Sequence, residues 1–121
     1  MGAFLLVKKE VFESVKGFDE NIFMYMDEVD LCKKVKQKGF TVCFTPTIEV
    51  VHLHSASSKS DSEKTFTREI MGIKYYQKKY YQSSYFLVKL FLILGLILRI
   101  IVFSFLKPAR ARAYLEGLSL I

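Results

Sequence analysis

From Tyr85 to Leu106 the only charged residues are Lys89 and Arg99, in a run otherwise built from Leu, Ile, Val and Phe. As a helix this run would be about 33 Å long, enough to cross the hydrocarbon core of a bilayer. It therefore limits the chain to a fold that inserts this segment in lipid, lays it on a membrane, or buries it against protein. Lys89 lies near one end and can extend its amine to the interface. Arg99 lies deeper and would cost about 3 kcal/mol at the bilayer centre, which the surrounding leucines and isoleucines offset. On a helical wheel Lys89 and Arg99 stand about 80° apart, with Leu92 and Leu96 in the same sector. A helix so nearly apolar all round is expected to insert or be deeply buried in preference to lying flat.

The sequence around this run is basic. The 121 residues carry a formal net charge of +6, with Lys74, Lys78, Lys79, Lys107, Arg110 and Arg112 in the second half. Basic residues beside an apolar run suit an anionic membrane surface. There is no zinc-finger spacing, Gly-rich aromatic RNA signature or continuous basic helix, so nucleic acid is not the expected partner. Positive residues flank both ends of the run and give no orientation. Tyr75, Tyr76, Tyr80, Tyr81 and Tyr85 stand where interfacial aromatics would, or where a helical pair would pack. The two cysteines, Cys32 and Cys43, have no Cys-x-x-Cys spacing and apolar neighbours, the pattern of buried free thiols in a reducing compartment. No secretory signal opens the sequence, and the catalytic face is expected on the cytoplasmic side of the membrane.

The preceding part reads as alternating strands and helices. Residues 3–7, 41–44 and 48–54 have strand character. A short helix is expected over 9–15, ended by Gly17, and another over 27–38, ended by Gly39. Ser60 and Glu63 form a capping box for a helix running to about Tyr81. Lys107 and Pro108 stop the apolar run, and a short helical tail follows. The expected class is α/β, with residues 1–60 as part of a catalytic domain and 61–121 as a helical, membrane-associated appendage.

Three acids crowd one helix start: Asp27, Glu28 and Asp30. The helix dipole accounts for Asp27, as an N-cap, and for Asp30 in the first turn. Glu28 is different. At about 100° per residue it shares a face with Leu31, Cys32 and Val35, while Lys33, Lys34, Gln37 and Lys38 lie outside. A carboxylate heading a core-facing stripe points to a cleft or to a buried ion pair. His52 and His54 share a strand face with Ile48 and Val50 and could bind a metal, or hydrogen-bond at a strand end. The loop 55–59 could order over a substrate or stay solvated.

Several short pieces then occur in a specific order. Gly2-Ala3-Phe4-Leu5-Leu6-Val7-Lys8-Lys9-Glu10-Val11-Phe12 comes first, then Gly17-Phe18-Asp19-Glu20. Phe23-Met24-Tyr25-Met26-Asp27-Glu28-Val29-Asp30-Leu31-Cys32 follows, then Gly39-Phe40, Pro46 and Val51-His52. This ordered set resembles glycosyltransferase family 2, in the branch that includes rhamnosyltransferases of bacterial surface polysaccharides. The resemblance covers roughly residues 2–58. It implies the C-terminal portion of a nucleotide-diphospho-sugar transferase domain of GT-A type, acting by inversion. The donor would be a nucleotide sugar and the acceptor a lipid-linked or surface polysaccharide.

By the same resemblance the second acid of the pair, Glu28, is the catalytic base, although the family's usual order of Glu then Asp is reversed here and leaves Asp27 as the alternative. Asp30 is a supporting acid, and His52 a metal or diphosphate contact. A divalent cation, Mg or Mn, is expected in the complete enzyme. The half that would bind the nucleotide does not precede Gly2, so the chain is expected to be inactive alone, as a truncated product, a fragment of a longer chain, or one piece of a split enzyme with a separate N-terminal half. The rival expectation is a non-enzymatic membrane-anchored module or a decayed remnant.

Overall fold

The computed structural model describes residues 2–52 and 62–121. Among these residues there are five helices: α1 (Lys9–Ser14), α2 (Asp27–Gln37), α3 (Ser62–Tyr80), α4 (Tyr85–Leu106) and α5 (Pro108–Ser119). His54, the loop 55–59, the start of the capping box and the expected domain boundary at 60 lie outside the described residues.

α1 and α2 enclose a small core. Val15, Leu31 and Val35 are buried, with Val7, Val11 and Phe12 packed around them. The chain leaves α1 through Lys16 and Gly17, both left-handed at φ 61° and 63°. Here the Gly17 N–H reaches back to the Phe12 carbonyl at 2.9 Å, and a Cβ on Gly17 would stand 3.1 Å from the Phe12 ring. Glycine is the residue that tolerates both demands. α2 ends at Gly39 (φ 84°), where Phe40 N–H bonds the Val35 carbonyl.

The start of α2 differs from expectation. Met26, not Asp27, is the N-cap, and Tyr25 and Met26 are both left-handed at φ 60° and 68°. Asp27 is the first helical residue, and no side chain caps the helix.

The α/β expectation is wrong: among the described residues no segment forms a strand. Residues 3–7, 41–44 and 48–52 alternate as strands do, but an alternating segment becomes a strand only when a neighbour takes its backbone N–H and C=O groups. These segments do not pair with one another. They lie beside the apolar face of α2 and with it line a groove of about 710 Å³ that includes Leu31, Cys32 and Val35. Leu6, Phe44 and Val51 remain largely exposed. Cys32 and Cys43 are free thiols, but Cys43 is exposed and not buried as its neighbours suggested.

α3, α4 and α5 form a second assembly. α3 and α4 run antiparallel across a short turn at 81–84, and α5 folds back beside the second half of α4. The Tyr114 ring lies 5.0 Å from Phe66 of α3 and 5.4 Å from Phe103 of α4. Gly117 sits where a Cβ would be 2.9 Å from Phe66 and 3.9 Å from Leu96. Leu96 is only 1% exposed, and Ala111 and Ala113 are buried. Small residues on α5 thus let its backbone come close to both neighbours. The Lys74 ammonium closes the far end by donating to the Leu120 carbonyl.

Candidate active site

The acids of α2 take three distinct positions. Glu28 is half-buried, on the same face as buried Leu31 and Val35. Its Oε1 accepts the Gly2 N–H at 3.2 Å. A Cβ on Gly2 would stand 2.9 Å from Glu28 Cβ and 3.0 Å from Cγ, so the N-terminal segment lies directly on this side chain. Leu31 and Cys32, one turn further along α2, belong to the groove lining, as does Ala3. Burial, together with a hydrogen bond and the charge of neighbouring Glu28, raises the pKa of Asp27 above the usual aspartate value. Two adjacent carboxyls, one of them protonated more readily than usual, are an arrangement suited to proton transfer.

Asp30 serves a different purpose. Its side chain is fully buried, and Oδ1 accepts hydrogen bonds from Lys79 Nζ and Tyr80 Oη, each at 2.7 Å. Oδ2 faces Lys34 Nζ at 3.2 Å, one helical turn on. Lys79 is shared: its Nζ also lies 2.7 Å from Asp19 Oδ2, which accepts Tyr75 Oη at 3.0 Å. Asn21 satisfies Asp19 Oδ1 through its backbone and side-chain N–H groups. Lys34 in turn donates to the Gly17 carbonyl at 2.6 Å.

These contacts explain the electrostatics. Burial alone would push both aspartates up. The hydrogen bonds from Lys79 and then Tyr80, with the Lys34 ammonium, for Asp30, and the hydrogen bonds from Lys79, Asn21 and Tyr75 for Asp19, outweigh it and hold both carboxyls below the usual range. Burial pulls the Lys79 ammonium down, but its two carboxylates hold it above the ordinary lysine value. Burial and then Asp30 push Tyr80 up to about 12. The result is a clamp joining the loop before α2, α2 itself and the end of α3.

A second contact lies beside it. Lys33 Nζ donates to Tyr81 Oη at 2.7 Å and stands 4.1 Å and 4.7 Å from the centroids of the Tyr81 and Tyr80 rings. Cations over aromatic faces are stabilised by the ring quadrupole.

Sequence reasoning missed Asp19 and Lys79, and took the tyrosines of α3 for interfacial or packing residues. The available signal was spacing: Tyr75 and Lys79, and Tyr76 and Tyr80, are each four apart on one face of α3. Farther up α3, Gly72 meets the left-handed turn that introduces α2. A Cβ there would lie 2.9 Å from the Tyr25 carbonyl oxygen and 3.4 Å from that of Met24. Arg68 stacks its guanidinium 4.7 Å over the Phe23 ring in the same loop.

His52 is exposed. Among the described residues no three His, Cys, Asp or Glu side chains come together as a metal site would need.

Comparison with known proteins supports a glycosyltransferase family. Over 57 residues the chain is 44% identical to the N-acetylglucosaminyl-diphospho-decaprenol L-rhamnosyltransferase of Mycobacterium tuberculosis, covering 47% of this chain and 18% of that protein. Over 65 residues it is 32% identical to rhamnosyltransferase WbbL of Escherichia coli, covering 54% and 25%. Over 60 residues it is 33% identical to the O-antigen biosynthesis protein RfbC of Myxococcus xanthus, covering 50% and 5%. The chain thus spans a quarter or less of the length of these curated relatives. No family model matches it. No solved structure matches it significantly.

Proposed function

We propose that the chain is part of an inverting, rhamnosyltransferase-like glycosyltransferase of family 2. It would move a sugar from a nucleotide-sugar donor to a lipid-linked or polysaccharide acceptor at the cytoplasmic face of a membrane. The observation that carries this is the pair Asp27 and Glu28 at the head of α2, with Asp27 raised and Glu28 half-buried on the inward face. The names of the relatives and the apolar α4 support the substrate class and the location.

In the proposed reaction the acceptor hydroxyl oxygen bonds to the anomeric carbon as the bond from that carbon to the diphosphate oxygen breaks. The electron pair leaves with the nucleoside diphosphate, and the hydroxyl proton passes to the Glu28 carboxylate. A positioned base of this kind contributes about 10²–10⁴-fold. Asp27, in its more readily protonated state, would donate a hydrogen bond to Glu28 and orient it. Asp30 holds α2 in place. The divalent cation implied by the family resemblance would take acidic ligands from the part of the domain that carries the donor site, with His52 as a further contact to the metal or the diphosphate. The donor site would come from a longer chain or from a separate N-terminal half.

The test is Glu28→Gln in a full-length enzyme. Transfer is expected to fall by about a hundredfold or more while donor binding persists. Normal turnover in that variant would remove Glu28 from the role, and loss confined to Asp27→Asn would move the role to Asp27.

A further inference from the structure

α4 is long and apolar enough to cross a membrane, yet its environment is two-sided. One face is packed: Leu96 is buried, and Gly117 of α5 stands close to both Leu96 and Phe66. On the opposite side Phe86, Leu90, Leu94, Leu98, Val102 and Phe105 are all exposed. At about 100° per residue these six positions fill an arc of about 160°, centred opposite Leu96. Lys89 and Arg99 both fall outside that arc. The helix that is nearly apolar all round in sequence thus presents a continuous uncharged stripe on one side and a protein contact on the other.

The neighbours of α4 decide how that stripe can meet lipid. α5 runs beside the second half of α4, as the Phe103–Tyr114 and Leu96–Gly117 contacts show. The outward face of α5 carries exposed Arg112, Glu116 and Ser119, with Leu115 among them. α3 reaches the level of Leu96 at Phe66, and exposed Glu69 lies one turn away. If α4 stood across a bilayer, Arg112, Glu116 and Glu69 would be carried to hydrocarbon depth, where charged side chains are strongly disfavoured. With α4 lying flat, the stripe alone enters lipid and all three stay in water. Exposed Lys78 near one end of the stripe and Lys107 and Arg110 near the other complement anionic headgroups.

We propose that α4 lies in the plane of a single leaflet of an anionic phospholipid membrane, with the Phe86–Phe105 stripe embedded and the Leu96 face, α3 and α5 on the water side. This rests on the membrane location proposed above and adds its geometry.

The chain contains no tryptophan, so single tryptophans report depth without background. Leu87→Trp, Leu94→Trp and Phe105→Trp replace exposed side chains at the start, middle and end of the stripe, all within about 20° of one another on the wheel and in the middle of the same arc. Each full-length variant, with its helical content checked by circular dichroism, is bound to vesicles of phosphatidylglycerol and phosphatidylcholine. The vesicles carry bromine near either the glycerol or the methyl end of the acyl chains. The in-plane arrangement gives all three tryptophans the same ratio of shallow to deep quenching. A ratio for Leu94→Trp shifted toward the deep bromine relative to both ends shows a spanning helix and overturns the proposal. Absence of quenching at all three positions shows that the stripe does not meet lipid, and overturns the membrane location with it.

Discussion

Replacing Asp30 with Asn tests the clamp most directly. Asn keeps the shape and removes the charge from a side chain with 0% exposure. The change weakens two hydrogen bonds of 2.7 Å, from Lys79 and Tyr80, and the 3.2 Å pairing with Lys34. Removing one partner of a buried ion pair costs about 3–5 kcal/mol, because the remaining charge is left buried. Lys79 keeps Asp19 and its side chain is 28% exposed, so water relieves part of the loss. The expected cost is therefore at the lower end, about 3 kcal/mol, or about 12 °C in Tm for a chain of this size. Urea unfolding followed by circular dichroism in detergent micelles measures it at pH 7.

Acid supplies a second readout of the same variant. Asp19 and Asp30 have folded-state pKa values below their unfolded ones. Their contribution is complete above the unfolded value of about 4 and is lost as pH falls through the folded values. Acid should therefore destabilise the wild type more than Asp30→Asn, and the gap between them should narrow below about pH 4. A variant within about 0.5 kcal/mol of wild type at pH 7, or a gap that stays constant into acid, would refute the clamp.

Two further substitutions probe the contacts that hold α3 in place. In Gly72→Ala the new Cβ would meet the Tyr25 carbonyl oxygen at 2.9 Å, a backbone atom at the left-handed turn. A loss of about 1–3 kcal/mol in urea unfolding is expected, and in a full-length enzyme a fall in kcat as α2 shifts. Leu96→Ala removes a side chain 1% exposed where three helices meet. It should cost about 2–5 kcal/mol in the same assay, and a loss under about 0.5 kcal/mol would mean that α4 is not docked there.

The sequence marks helices well where the stop signal is local. Gly39 and Pro108 end their helices by chemistry that acts within a turn, and α3 and α4 run close to their expected bounds. It places the start of α2 at Asp27 but does not show the left-handed turn that leads into it. Tyr25 and Met26 adopt a conformation that residues other than glycine rarely take, and nothing in their own side chains asks for it. The turn fits against Gly72, on a different helix, so its cause is tertiary. The strand expectation fails for a related reason. Alternation in residues 41–44 and 48–52 describes which side chains could share a face, but hydrogen-bonded pairing is a property of two segments and cannot be read from one.

The acids of α2 separate along the same line. Glu28 was legible because its neighbours at i+3 and i+4, Leu31 and Cys32, are apolar, and the structure puts it on their face. Asp30 was not, because an acid in a first turn is already explained by the helix dipole, while its partners Lys79 and Tyr80 are 49 and 50 residues away. Those partners sit in the last turn of α3, next to the turn that begins α4. Gly72 and the clamp fix α2 to α3 at two heights, and the short connection at 81–84 fixes α3 to α4. With α4 flat in one leaflet, Glu28 is carried at a set distance above the lipid. The acid helix and the apolar run, which look like separate features in the sequence, are joined through α3, so under the proposed function α2 would present Glu28 to a substrate at a membrane surface.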